Sequence, residues 1–91
     1  MKYQVVMTSK FEKDLKLINK RGYQTNKLKE VIKILASGKS LDAKYRDHVL
    51  KGVYENKHEC HIESDWLLIY EISNQKLILL LLRTGTHSDL F

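Results

Sequence analysis

Six consecutive apolar residues, Leu77-Ile78-Leu79-Leu80-Leu81-Leu82, lie between a polar stretch, Ser73-Asn74-Gln75-Lys76, and Arg83. A short unbroken run bounded by turn signals reads as a buried strand. It is far too short to cross a bilayer, which takes about 20 residues. The rest of the chain must therefore supply the neighbours that bury it. Just past the run come Arg83, His87 and Phe91. A basic group, an imidazole and an aromatic ring are thus delivered together at a strand end. A strand this apolar rarely ends in arginine without a ligand or a salt-bridge partner.

The preceding residues supply the remaining elements. Residues 2–8 are rich in β-formers and read as a first strand. Ser9 followed by Glu12 matches a capping box, so a helix is expected from about residue 10. Phe11, Leu15 and Ile18 recur at helical spacing, and Gly22 is a natural stop. A second helix fits Thr25 to Ser37, with Leu28, Val31, Ile32 and Leu35 as its apolar stripe and Gly38 at its end. Residues 39–52 read as an exposed loop. Strands are expected at about 53–62, 66–72 and 77–84, the last two joined by a hairpin turn at 73–76. The order is β-α-α-β-β-β: an α+β domain with an antiparallel sheet and two N-terminal helices packed on one face, the other being left for function.

Ninety-one residues make a single domain, 1–91. A chain of this size buries roughly 60–65% of its unfolded surface, which leaves little room for a deep cavity. A shallow site working on a large partner is the better fit. The one cysteine, Cys60, allows no internal disulfide and suits a reducing cytosol. No secretory signal is visible at the N-terminus, so a cytoplasmic protein without membrane contact is expected. Residues 1–51 hold thirteen Lys or Arg against five Asp or Glu, whereas residues 52–91 hold three against six. A basic N-terminal half suggests a polyanionic partner, although lysine-rich helix faces are often simply solvated.

Reactive side chains gather in Arg46-Asp47-His48, His58-Glu59-Cys60-His61, Asp65-Trp66, and Arg83 with His87. Alternation along a strand puts Cys60 and Ile62 on the helix-covered side and His61 on the open side. Cys60 and His61 then point apart and cannot grip one zinc ion, and their spacing matches no structural zinc pattern. No metal or other cofactor is expected. His58 is left as structural or solvent-exposed. Trp66 opens an alternation with Leu68, Tyr70 and Ile72, so a core role competes with stacking on a nucleobase.

The segments RDHVLKG (46–52), ECHIESDWLLIY (59–70) and RTGTHSDLF (83–91) resemble the YafQ branch of the RelE/ParE superfamily of bacterial toxins. That resemblance implies the fold just described and a ribosome-dependent endoribonuclease that cuts translated mRNA in the A site. It also implies a cognate antitoxin of the DinJ/RelB type, with the toxin monomeric when alone and hetero-oligomeric with its antitoxin. The family's functional positions fall on His48, His61, Asp65, Arg83, His87 and Phe91, and Trp66 matches its motif.

Metal-free RNA cleavage uses the ribose 2′-OH as nucleophile. It needs a base there, an acid at the leaving 5′-oxygen and positive charge on the phosphoryl oxygens. Histidine suits both proton roles, with a free pKa of about 6.5. On this reading His87 is the acid and Arg83 the phosphate clamp. His48 or Asp65 is the base, with His61 as its alternative or orienter. Phe91, Trp66, Lys51 and Arg46 hold RNA, and Lys10, Lys13, Lys16, Lys20, Lys29 and Lys33 dock on ribosomal RNA. Two rivals remain: a ParE-like toxin acting on DNA gyrase, and a non-catalytic RNA- or protein-binding module. Neither needs convergent acid–base groups.

Overall fold

The computed structural model describes residues 2–91. Strand β1 (Gln4–Met7) leads into helices α1 (Ser9–Lys20) and α2 (Thr25–Ala36). Strands β2 (His48–Val49), β3 (His58–Glu63), β4 (Trp66–Ser73) and β5 (Ile78–Gly85) follow, and helix α3 (His87–Leu90) comes after β5. They form one sheet in the order β1-β5-β4-β3-β2. The α+β architecture and the two helices are as the sequence predicts. Among the described residues, no helix is long and apolar enough to cross a membrane.

Several details differ. The expected antiparallel arrangement holds for β2 to β5, but β1 pairs in parallel with β5 (Gln4 with Ile78 through Met7 with Leu81), the long connection through both helices and the three-stranded meander bringing the chain back in the same direction. Residues 39–52 are not all loop, because His48–Val49 adds a short edge strand paired with β3. The strand expected from 53 starts at His58, as Gly52–Tyr54 forms a single 3-10 turn instead. Leu77 belongs to the hairpin turn, with a left-handed φ of 53°. At α1 the cap is Thr8 rather than Ser9: its hydroxyl accepts from the Phe11 N–H at 3.0 Å and donates to the Leu82 carbonyl at 2.9 Å. One residue thereby starts the helix and ties it to β5. The helix stops at Gly22, whose φ of 80° favours a residue without a side chain.

The main core lies between the helices and the sheet, with Phe11, Ile18, Leu28, Val31, Leu79 and Leu81 at its centre. Strict alternation from Leu79 and Leu81 would send Arg83 into this core. The β4–β5 register prevents it. Ile69 pairs with Arg83 but Tyr70 with Leu81, so Leu82 is an extra residue, a bulge. The phase inverts there: Thr84 turns inward and Arg83 emerges on the open face. That face carries its own smaller core, Leu67, Ile69 and Leu90 under Leu50, Tyr54 and Leu82. The face expected to be free is therefore partly roofed by α3 and the 50–54 segment, and its functional groups sit around that roof.

Cys60 lies on the helix side, fully buried, and burial pushes its thiol well above the ordinary range. A chromogenic disulfide reagent at pH 8 is expected to leave the native thiol untouched and to react at once in urea. Rapid reaction in the native protein would contradict this packing.

Candidate active site

The sheet register sets the site. His48 pairs with Glu59, Glu59 with Ile69, and Ile69 with Arg83, so one row runs across four strands on the open face. The next row places His61 opposite Leu67 and Leu67 opposite Gly85. His87 follows at the start of α3. The imidazoles form an arc: His48 and His61 have ring centres 6.4 Å apart, and His61 and His87 5.9 Å apart. Phe91 continues the arc, 6.4 Å from His87 and edge-on to Tyr54 at 5.7 Å.

Each histidine is oriented by an oxygen. The His48 Nδ1 lies 2.8 Å from the Arg46 carbonyl, which can only accept, so this nitrogen carries the proton. Arg46 reaches that position through a left-handed backbone, φ 50°. The opposite nitrogen, Nε2, lies 3.4 Å from Glu59 Oε1, and the His61 Nε2 lies 3.7 Å from the same oxygen. Glu59 is 4% exposed, so one nearly buried carboxylate serves two imidazoles. The His61 Nδ1 faces the Ser64 carbonyl at 3.4 Å. His87 donates to Asp65 twice, from Nδ1 at 2.8 Å and from its backbone N–H at 3.1 Å. These bonds hold the Asp65 carboxyl below the usual carboxylate range, the side-chain bond contributing most. The His87 side chain remains more than half exposed.

The loop ahead of His48 is anchored separately. Asp47 accepts from the Tyr70 hydroxyl and lies 3.1 Å from the His58 Nδ1, while the His58 ring stacks on Tyr70 at 5.1 Å. Burial, then the Asp47 bond, raises the Tyr70 hydroxyl pKa, so it stays a donor. His58 thus has a structural place outside the arc.

Arg83 stands apart from the histidines. Its Nε and Nη2 donate to Asp14 at 2.6 and 3.0 Å, and its Nη1 reaches the Tyr54 hydroxyl at 3.4 Å. The Asp14 carboxylate, followed by Tyr54, raises the guanidinium pKa further. Both possibilities raised by the sequence therefore coexist: a salt bridge holds Arg83, and one edge remains toward the arc through Tyr54. Arg46 and Lys51 are exposed on either side of β2, and Lys10, Lys13, Lys16, Lys20, Lys29 and Lys33 are exposed on the helices. A cleft of about 450 Å³ lined by Lys44, Arg46, Tyr45, His61 and Ser64 opens beside the arc.

One expectation fails. Trp66 is 1% exposed, edge-on to Tyr23 at 5.1 Å, and its indole N–H donates to Thr84 Oγ1 at 3.0 Å. It packs beneath the site and cannot stack on a base, so its place is in the core and not on an RNA-binding surface. Three residues were missed. Glu59 shares the His61 side of β3, so alternation could have found it. Asp14, one of only two acids in α1, and Tyr54, in a segment expected to be strand, gave no local signal.

Fold and site together define a small α+β protein that presents imidazoles and a carboxylate on an open surface. A family model described as a bacterial toxin of type II toxin–antitoxin systems, YafQ, matches residues 3–91. The mRNA interferase toxin YafQ of Escherichia coli (strain K12) is 39% identical over 85 residues, 92% of this chain and 90% of that protein. A metal-bound toxin from Helicobacter pylori superposes with a TM-score of 0.91 at 42% identity, covering 98% of this chain and 99% of that one. YafQ in an E. coli DinJ–YafQ complex gives 0.89 at 37% identity, covering 98% of each. The chain belongs to the YafQ family of type II toxin–antitoxin toxins.

Proposed function

We propose that this chain is an endoribonuclease that cuts translated mRNA in the ribosomal A site by metal-independent acid–base catalysis. The observation that carries the reading is the His48–His61–His87 arc, with an oriented imidazole at each end. His48 is the base. Its Nδ1 proton is fixed on the Arg46 carbonyl, so the neutral ring keeps its lone pair on Nε2, and Glu59 beside Nε2 stabilises the imidazolium that forms. His87 is the acid. Asp65 accepts from its Nδ1 and fixes the ring's orientation, and Nε2 gives the proton to the leaving 5′-oxygen. Asp65, committed to His87, is an orienter rather than a base. His61 lies between the two, where the scissile phosphate passes. Arg83 supplies positive charge from the Tyr54 side, and Phe91, 63% exposed, stacks on a base.

The exposed lysines of α1 and α2 support docking on ribosomal RNA. The DinJ–YafQ relatives support a DinJ/RelB-type antitoxin as the second partner. The cytoplasm, where translation occurs, is the matching compartment.

The test is cleavage of a defined mRNA in a reconstituted bacterial translation system, mapped by primer extension with and without ribosomes. Discrete cuts that require translation are expected. Ribosome binding should also weaken by about 10³ between 50 and 200 mM salt if some six lysines contact phosphates. Equal cutting of naked RNA, or a flat salt response, would contradict this reading.

A further inference from the structure

The segment Arg83-Thr84-Gly85-Thr86-His87 joins β5 to α3 and delivers both the guanidinium and the acid imidazole. Little of it is held by ordinary pairing on its outer edge, since β1 ends at Met7 opposite Leu81. Helix α1 takes over beyond that point, through two carboxylates that follow one pattern. Asp14 accepts from the Arg83 side chain at 2.6 and 3.0 Å and from the backbone N–H of the next residue, Thr84, at 3.1 Å. Asp89 accepts from the backbone N–H of Thr86, just before His87, at 2.9 Å, closing a capping box with Thr86. It also receives both Arg21 nitrogens, at 2.7 and 3.1 Å. Each carboxylate therefore grips the backbone beside a reactive residue, and each is tied by a two-point arginine bond between α1 and the C-terminal segment.

Gly85 shows how close this packing is. Its φ is 158°, and a Cβ there would lie 2.9 Å from Asp89 Oδ2 and 3.0 Å from Asp89 Cβ. The side chain of Asp89 thus lies folded back over the corner. Arg21, beside Asp89, holds that carboxyl well below the usual carboxylate range, so it remains an anion at any pH where the imidazoles titrate.

We propose that α1 is a brace for the catalytic segment, with Asp14 and Arg21 as positioning residues that fix Arg83 and, through Asp89, His87 and Phe91. The proposal rests on the ribonuclease reading for its kinetic consequence, but not for its structural one. Neither residue reaches the substrate. Each sets the angle at which another group does, and a 1 Å misplacement is enough to cost up to about 100-fold in rate. The brace also joins the two functional surfaces. The helix that carries Lys10, Lys13, Lys16 and Lys20 is the one that holds the acid in place.

The experiment compares Arg21→Ala, Asp89→Asn, their double variant and Arg21→Lys in full-length protein. Readouts are kcat and KM for ribosome-dependent cleavage, and NMR of the His87 and Phe91 rings in the free protein. Each single variant is expected to lower kcat about 10-fold with KM near wild type, the double to fall no further than the worse single, and Arg21→Lys to recover part of the loss. A Lys13→Ala/Lys16→Ala pair, which leaves the brace intact, should raise KM and spare kcat. In the free protein, the His87 and Phe91 signals should broaden or shift in Arg21→Ala while core signals stay put. Unchanged ring signals in that variant overturn the brace even if the wild type proves unable to cut RNA. Shifted signals with wild-type kcat, or multiplicative losses in the double, overturn its catalytic role.

Discussion

Replacing His87 by glutamine is expected to reduce mRNA cleavage by about 10³-fold while leaving the fold intact. Glutamine retains length and hydrogen-bonding capacity but has no proton to give near neutral pH. His87 is 55% exposed at its side chain, and Asp65, its partner, is 64% exposed, so the substitution disturbs no packing. Its stability effect should stay within about 0.5 kcal/mol, the ordinary range for surface positions. The loss should therefore appear in kcat, with KM near wild type, because the proton transfer matters only as the leaving oxygen departs. Asp65→Asn should lose less, since an oriented amide can still hold the Nδ1 proton. The pH dependence separates the two further. Asp65 is depressed by its bonds to His87, so its contribution is present above the unfolded carboxylate pKa of about 3.9 and fades only as pH falls below it. Any change in rate between pH 5 and 8 must then come from other groups: the fall toward alkaline pH, which reports loss of the acid's proton, should vanish in His87→Gln, whereas the rise from the acidic side, which reports the base, should remain. Cleavage at the wild-type rate in that variant would remove His87 from the reaction.

The distribution of what could be read from the sequence has a physical cause. The helices, the last three strands and the buried run were legible because their signals are local: apolar spacing, turn residues, helix-stopping glycines. His61 could be assigned to the open face because alternation on β3 needs only its neighbours. Arg83 reached the open face for a reason alternation cannot express. The bulge at Leu82 inverts the phase, and a continuous run of leucines carries no mark of where that occurs. His48 was found by its motif, but the short strand that sets it opposite Glu59 was not, since two residues give no periodicity. Asp14 is a long-range case: 69 positions separate it from Arg83, and on α1 alone it looks like one more solvated charge. The Ser9–Glu12 capping pattern misled by one residue because Thr8 is just as competent and also reaches the Leu82 carbonyl.

Trp66 shows why a motif residue need not touch the substrate. Its ring is fully enclosed against Tyr23 and the helix-side core, and its indole N–H is bonded to a threonine hydroxyl that itself donates to the Leu67 carbonyl at 2.7 Å. Leu67 pairs with His61 on one side and Gly85 on the other. The indole thus fixes the spacing between the strand carrying His61 and the corner that leads to His87. Trp66→Ala is expected to cost about 3–5 kcal/mol, the range for emptying an aromatic core site. A domain of this size has roughly 5–15 kcal/mol in all, so the urea midpoint should fall by about a fifth or more. Activity should be lost with the fold, and protein that remains folded at low temperature should bind RNA with unchanged KM. Trp66→Phe keeps most of the ring and gives up one hydrogen bond, so it should lose about 1–2 kcal/mol and retain cleavage. A raised KM in Trp66→Phe with an unmoved urea midpoint would return this residue to the RNA-binding surface, where its 1% exposure gives it no place. Phe91 is the exposed ring to which the proposed function gives that role, and Phe91→Ala should show the opposite pattern: higher KM and an unchanged midpoint.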